Sequence, residues 1–284
     1  MTPMDTVAEA LNRLQASGLP RLEAQMLVLQ ACQRPSEDRA WLLTHDQQVL
    51  TATEHEQLRA WAARRLAGEP MAYILGQKNF HALQLDIDAR VLDPRDDTET
   101  LVDWALRLLP AEAPAEVLDL GTGSGAIALA LAHARPKWRI TATDVSDDAL
   151  ALAQHNAARL GLSVQWVLGD WLAPLVGRQF DMIVSNPPYI ATNDPHLTAL
   201  RHEPLHALVS GSDGLSAIRA IVQGASLHLK PQAWLLLEHG HRQAEAVRGL
   251  LGRAGFSEVV SERDLAGIER CSAGQWLPAN FAHP

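Results

Sequence analysis

Glu116-Val117-Leu118-Asp119-Leu120-Gly121-Thr122-Gly123-Ser124-Gly125 passes from a short apolar run into a glycine-rich turn, and Ala126 to Ala134 continues with helical composition. These residues read as a buried strand, a tight turn and a helix start, the opening unit of an α/β sheet. Glycines let the backbone approach a ligand closely. A helix N-terminus presents free N–H groups. The spacing is G-x-G-x-G rather than the G-x-G-x-x-G of dinucleotide sites. The turn therefore points to a nucleotide-like cofactor of another kind.

The next apolar run, Arg139 to Asp144, ends in an acid. A carboxylate at that place can accept from both hydroxyls of a ribose. It can also cap the helix that starts at Ser146-Asp147-Asp148, but Ser146 or Asp147 suits the cap better and leaves Asp144 for a ligand. A third run, Val164 to Leu168, ends in Gly169-Asp170-Trp171. Asp170 and Trp171 can bind and flank an adenine ring. Core packing is an equal reading of Trp171. Downstream we read strand Phe180 to Ser185, helix Gly214 to Leu229, strand Ala233 to Glu238, helix Gln243 to Ala254, and a final strand pair near Glu258–Glu262 and Arg270–Trp276. Such alternation predicts a parallel sheet covered on both faces.

Strand Phe180–Ser185 runs into Asn186-Pro187-Pro188-Tyr189. Alone, that tetrapeptide is a rigid turn. Its position changes the reading, because open α/β sheets bind ligands at the carboxyl ends of their strands. The residue types suit methylation of a planar, conjugated NH2 group, whose lone pair is delocalised. Such a site must grip both N–H groups and turn the face of the nitrogen towards an electrophile. The Asn186 side-chain oxygen and the Pro187 carbonyl are two acceptors. The paired prolines stiffen both. Tyr189 offers a flat face for stacking. Catalysis would be mainly positioning and electrostatic, with no strong general base.

The first seventy residues carry no strand signal. We predict helices from Thr6 to Ala16 and from Pro20 to Ala31, the latter with Leu22, Met26 and Leu29 on one face. A short helix capped by Ser36 should run through Trp41-Leu42-Leu43. A longer one should start at the capping box Thr51-Ala52-Thr53-Glu54 and stop at Gly68-Glu69-Pro70. The expected domains are a helical bundle over 1–70, a linker with a β-hairpin over 71–97 (Gln77 to Phe80 against Leu83 to Ile87), and an α/β domain over 98–284 whose first helix is Glu99 to Leu109.

The 284 residues are 47% hydrophobic and 20% charged, enough for a real core. No apolar stretch is long enough to span a membrane. Met1-Thr2-Pro3-Met4-Asp5 lacks the features of a signal peptide, and Cys32 and Cys271 lie far apart, so we expect a cytoplasmic chain. His239 and His241 have no third ligand nearby, and we expect no metal. A net charge of −9 disfavours nonspecific binding to nucleic acid and admits a basic protein partner.

These motifs, in this order, resemble the peptide chain release factor N(5)-glutamine methyltransferases, the PrmC/HemK family. The likeness runs from about Arg64 to Arg270 and includes Gly68-Glu69-Pro70-Met71-Ala72-Tyr73-Ile74, Ser185 to Ile190, Glu203-Pro204-Leu205, Asp213-Gly214-Leu215 and Leu236-Leu237-Glu238-His239-Gly240. The resemblance implies the fold of class I S-adenosylmethionine-dependent methyltransferases: Rossmann-like, with a mostly parallel seven-stranded sheet, behind an N-terminal helical bundle. It implies S-adenosylmethionine as cofactor and S-adenosylhomocysteine as its product. The cofactor would lie across Gly121, Thr122, Gly123, Ser124 and Gly125, with Asp144 at the ribose, Asp170 and Trp171 at the adenine, and Asn186 close by. The substrate would be the glutamine of the Gly-Gly-Gln loop in class I release factors, held by Asn186, Pro187, Pro188, Tyr189 and Ile190. The bundle would dock the release factor, unless it is a scaffold or a dimer contact. Direct nucleic-acid and membrane partners are not implied.

One loop departs from the family's usual Ile-Pro-Arg-Pro, acid, Thr, Glu. Here it is Asp93-Pro94-Arg95-Asp96-Asp97-Thr98-Glu99, so an apolar residue and a proline have become aspartates. The nearest rival function is methylation of adenine N6 in DNA or RNA, which also presents a conjugated NH2 and requires a flipped base. An NAD-dependent oxidoreductase would need a different glycine spacing. A noncatalytic binding protein would not need Asn186 and Tyr189.

Overall fold

A computed structural model describes residues 5–278. Met1-Thr2-Pro3-Met4, read above for a targeting signal, lie outside the described residues. The chain forms two compact units that divide between Gln77 and Lys78.

The first unit is helical: α1 (Val7–Ala16), α2 (Arg21–Ala31), α3 (Arg39–Thr44), α4 (Ala52–Leu66) and α5 (Met71–Leu75). Capping boxes start α1 and α4. Thr6 and Thr51 each accept from the backbone of a glutamate, Glu9 or Glu54, whose side chain returns to the cap backbone. Two local expectations are corrected. Helix α2 buries Ala24, Leu27, Val28, Leu29 and Ala31, while Leu22 is 47% exposed and Met26 half-buried. It touches α1, α3, α4 and α5, so it buries a broad arc rather than the single stripe that Leu22, Met26 and Leu29 would mark. The cap of α3 is Asp38, which accepts from Trp41 N at 3.3 Å. Ser36 is spent on Glu37, because a turn between Pro35 and Asp38 delays the helix.

The second unit opens with a hairpin of β1 (Gln77–Phe80) and β2 (Leu83–Asp86), then α6 (Glu99–Leu108). Next come β3 (Glu116–Leu120), α7 (Ala126–Ala134), β4 (Arg139–Asp144), α8 (Asp147–Leu160), β5 (Gln165–Leu168), β6 (Phe180–Ser185), α9 (Ser216–Ala225), β7 (Leu229–Glu238), α10 (Ala244–Arg253), β8 (Phe256–Arg263) and β9 (Glu269–Trp276). Helix α9 is shorter than read from the sequence and β7 longer. Leu229 already pairs with Phe180, and an irregularity between Phe180 and Met182 absorbs the extra residues. The seven strands lie in the order β5-β4-β3-β6-β7-β9-β8. Pairing is parallel through β7, and antiparallel between β7 and β9 and between β9 and β8.

Parallel strands buried on both faces need near-continuous apolar runs. Leu118, Leu120, Phe180, Ile183, Leu235 and Leu237 supply them, packed on Ile218, Ile221 and Val222 of α9 and Val247 and Leu251 of α10. Phe180 is 1% exposed. Phe180→Ala is expected to destabilise by about 3–5 kcal/mol, and the exposed cap change Thr51→Ala by about 1 kcal/mol. Denaturant unfolding monitored in each variant checks the ranking, which equal losses would contradict.

Candidate active site

Strands β3 and β6 are paired so that Leu120 faces Ser185. The Ser185 hydroxyl donates to Leu120 O at 2.7 Å. Gly121 and Asn186, the next residue on each strand, therefore leave the sheet side by side. Strand β4 lies on one side of β3 and β6 on the other, so this is the topological switch point of the sheet. A pocket of about 910 Å³, counting its open mouth, sits there. Of the residues singled out from sequence, Gly121, Thr122, Gly123, Ser124, Asp144, Asp170, Trp171, Asn186 and Pro188 line it. Gly125, Pro187, Tyr189 and Ile190 do not.

The glycine turn is built by backbone bonds. Gly121 N and Thr122 N both donate to Thr143 O at 2.9 Å. Gly123 N donates to Asp144 Oδ2 at 2.9 Å, and Ser146 N donates to Asp144 Oδ1 at 2.9 Å. Asp144 thus holds the turn and keeps remaining lone pairs for a ligand. Ser146, not Asp144, caps α8 by accepting from Ala149 N. Gly121 and Gly123 have φ of +69° and +56°, where a side chain is strained, and Gly123 opens onto empty space. A Cβ on Gly121 would stand 3.3 Å from the Trp171 ring. Trp171 both borders the pocket and packs on the core, so its two readings coexist. Gly125, also at positive φ (+84°), lies against helix packing, for a Cβ there would meet Leu129 and Ala153 at 3.0 and 3.2 Å.

Asp119 lies beneath this turn, fully buried. It accepts from Thr122 Oγ1 at 2.7 Å and Ala128 N at 3.2 Å. Burial pushes its carboxyl up to about 7, against those two bonds and with help from the charge of Asp144. Asn156 of α8 clamps the turn from another side, donating to Ser124 O at 3.1 Å and to Asp86 O at 3.0 Å.

At the second strand end, the Asn186 side chain donates through Nδ2 to Thr98 Oγ1 at 3.1 Å. Pro187 is buried. The Tyr189 hydroxyl reaches Glu238 Oε1, at the end of β7, at 3.5 Å. Burial first, then the Glu238 charge, raises the Tyr189 phenol, so it stays neutral. The Tyr189 carbonyl accepts from Gln243 Nε2 at 3.1 Å. Gly214 presses on the same carbonyl, and a Cβ there would stand 2.2 Å from it. Ile190 stitches rather than lines: its N donates to Leu208 O and its O accepts from Ser210 N, both at 2.9 Å. That brings His206 and Ala207 into the pocket wall.

The loop that departs from the family pattern contributes Leu92, Pro94 and Thr98 to the same wall. Arg95 pairs with Glu203, Asp97 with Arg270 at 3.0 Å, and Glu99 accepts from His81 N at 2.7 Å. Asp96 points outward to Lys78, 2.9 Å away. Asp93 is buried, and desolvation raises its carboxyl against the pull of Lys78 and Arg95. Neither new aspartate lines the pocket.

Thr98 and Glu238 were quoted from sequence only as part of the family resemblance and given no role, and Gln243 and Asn156 were not singled out at all. A signal existed for Glu238: a lone acid closing the apolar strand Leu235-Leu236-Leu237 is the pattern that marked Asp144. Among the described residues, no group of three or more His, Cys, Asp or Glu could hold a metal ion, and no helix is long and apolar enough to cross a membrane.

Comparison with known proteins fits this geometry. Residues 97–211 match the family described as Methyltransferase small domain, and residues 5–76 the PrmC N-terminal domain. A methyltransferase from Pyrococcus furiosus shares the fold, with a TM-score of 0.53 at 18% identity over 75% of this chain and 96% of that one. The catalytic domain of hMettl16 does so with a TM-score of 0.56 at 17% identity over 79% and 84%. Sheet order, glycine turn and switch-point pocket make this a class I S-adenosylmethionine-dependent methyltransferase. Proteins called release factor glutamine methyltransferase are similar over nearly the whole chain. That of Pseudomonas aeruginosa is 48% identical over 96% of this chain and 99% of its own. That of Bordetella pertussis is 51% identical over 90% and 95%. The chain belongs to the release factor glutamine methyltransferase family.

Two predictions arise from these contacts. Gly214→Ala should displace the Tyr189 carbonyl and lower turnover at least about tenfold, a barrier rise of roughly 1.4 kcal/mol, while calorimetry shows cofactor affinity retained. The second concerns Asp119, whose carboxyl rises from 3.8 to about 7 on folding. A raised value favours the neutral acid in the folded state, so its contribution is full below pH 3.8 and is lost as pH rises to about 7. Denaturation at mildly acid and mildly alkaline pH should show stability falling across that window, and Asp119→Asn should flatten the slope.

Proposed function

We propose that this protein transfers the methyl group of S-adenosylmethionine to the side-chain amide nitrogen of the glutamine in the Gly-Gly-Gln loop of class I peptide chain release factors, leaving S-adenosylhomocysteine and modulating translation termination. The observation that carries this reading is the placement of Asn186 in the wall of the pocket that Gly121, Gly123 and Asp144 also line. The electrophile and the nitrogen to be methylated can meet only where those walls meet.

The residues present suit the cofactor. Gly121 and Gly123 leave a cradle that side chains would fill, Asp144 retains acceptor capacity, and the Trp171 ring lies against Gly121. When bound, S-adenosylmethionine supplies a methyl group on a positively charged sulfur. The chain supplies position. Asn186 Oδ1 and the Pro187 carbonyl accept from the substrate NH2, the prolines keep both acceptors stiff, and the Tyr189 ring covers the amide plane. As the nitrogen gains its methyl group, a proton leaves to water. The acceptors stabilise the charge that develops before it goes. No metal is needed for these steps. The helical unit is proposed to dock the release factor, and the chain to work in the cytoplasm, where its two free thiols would persist.

Labelled cofactor incubated with an intact class I release factor, and with one whose Gly-Gly-Gln glutamine is replaced, tests the reading. Label is expected only on the intact factor; label on adenine-containing nucleic acid instead would favour the N6-adenine reaction. Asp144→Ala should weaken cofactor binding by about 1–3 kcal/mol, the value of a lost buried charge-assisted bond. Titration calorimetry reads it, and unchanged affinity would confine Asp144 to holding the turn.

A further inference from the structure

Within Asn186-Pro187-Pro188-Tyr189, Tyr189 is the one residue that is neither a proline nor followed by one, so nothing that stiffens the rest of the motif applies to it. The far end of its ring is loosely held. The hydroxyl lies 3.5 Å from Glu238 Oε1, long for a bond between two oxygens. The peptide group that follows is held better. It is planar, so fixing its two ends fixes the torsion that joins it to Tyr189. Ile190 N donates to Leu208 O at 2.9 Å on one side, and Tyr189 O accepts from Gln243 Nε2 at 3.1 Å on the other.

The Gln243 amide has one way to sit. Gly240 N, which can only donate, meets Oε1 at 2.8 Å. The NH2 end therefore faces the Tyr189 and Asp213 carbonyls, which can only accept, at 3.1 and 3.3 Å. Gly214 packs against this amide so closely that a Cβ there would stand 2.7 Å from Nε2. Gly240 in turn lies along the tyrosine ring, for a Cβ on it would stand 3.6 Å from Tyr189 Cδ2. One side chain thus fastens both the Tyr189 carbonyl and the backbone on which the Tyr189 ring rests. We propose that Gln243 is a positioning residue for the methyl transfer: by holding Tyr189 O and Gly240 N together, it sets the plane of the ring that covers the substrate amide. This rests on the reading of Tyr189 as that cover. Gln243 acts through Tyr189 and does not itself line the pocket.

Gln243 also stands at the start of α10, where its N donates to Gly240 O and its O accepts from Val247 N, both at 2.9 Å. A role confined to building that helix start needs the backbone bonds and the Oε1 contact with Gly240 N. Positioning Tyr189 needs the NH2 end as well. Gln243→Glu separates the two. At mildly alkaline pH the introduced carboxylate is ionised. It keeps the shape and can still accept from Gly240 N, but it has no hydrogen for either carbonyl and sets negative charge against both oxygens. Gln243→Met removes both ends of the amide at similar length.

The test measures kcat and KM for the release factor, cofactor affinity by calorimetry and melting temperature at mildly alkaline pH. The variants are Gln243→Glu, Gln243→Met, Tyr189→Leu, and Tyr189→Leu combined with Gln243→Glu. Gln243→Glu is expected to lower kcat about tenfold or more, the loss of the bond that fixes the ring, with cofactor affinity unchanged. Gln243→Met should fall similarly. If it fails to fold, Gln243→Glu still decides, because it keeps the bond to Gly240. In the Tyr189→Leu background, Gln243→Glu should cost little more, since residues that act through one group are not additive. If Tyr189→Leu leaves no measurable turnover, Gln243→Glu against wild type decides alone. Wild-type kcat in Gln243→Glu, or a full further loss when it is added to Tyr189→Leu, would overturn the positioning role and leave the reading of Tyr189 standing. Full turnover by Tyr189→Leu would overturn the reading of Tyr189 and the positioning role with it.

Discussion

The pairing of β3 with β6 is the constraint on which the site depends. Parallel strands bury both faces, so their register is set by apolar contacts along their whole length. Here the register places Leu120 opposite Ser185, and the Ser185 hydroxyl locks the two ends together. A glycine turn and an asparagine turn, far apart in sequence, are thereby side by side. Slipping either strand by one residue would invert its buried face and move Asn186 away from Gly121. The pocket is a consequence of that register rather than of any single loop.

Beneath the pocket lies a layer of buried polar groups. Asp119 supports the glycine turn through Thr122 and Ala128, and Glu238 sits below the asparagine turn against the Tyr189 hydroxyl. Both carboxyls are driven up to about 7 by burial. Burying an acid is costly unless it is hydrogen-bonded, and one oxygen of each is: Asp119 Oδ2 accepts from Thr122 and Ala128, and Glu238 Oε1 from Tyr189. Outside this layer, Arg95–Glu203 and Asp97–Arg270 tie the 93–99 loop to later segments. The two aspartates that replace an apolar residue and a proline are accommodated without entering the pocket: Asp96 reaches the surface and Lys78, and Asp93 stays buried beside Arg95.

Most of the fold was legible because its signals are local. Apolar runs ending in glycine or acid marked β3, β4, β5 and β7, the run ahead of Asn186 marked β6, and the Thr51–Glu54 capping box marked the start of α4. The helix-face and cap readings that failed depended on neighbours. A single hydrophobic stripe was assigned to α2, but a helix touched by four others buries a wider arc. Ser36 and Asp38 have equal standing as caps until the turn at Pro35 decides between them. Gly125, read as part of the ligand cradle, is not among the pocket-lining residues and stands where α7 closes on Ala153. Ile190 extended the asparagine motif by one residue but spends its backbone on the segment carrying Leu208 and Ser210.

The sequence by itself determined the class of chemistry, because strand–glycine turn–helix and Asn-Pro-Pro-Tyr are contiguous motifs whose geometry is set by their own backbone torsions. It also determined the helical character of the first unit, through helix-period spacing and caps. The tertiary structure alone decided which residues support those motifs. Thr98 meets Asn186 across 88 positions of chain, and Tyr189 meets Glu238 across 49. Such partners are chosen by sheet order and register, which are properties of the packed strands and leave no mark in the residues next to the motif.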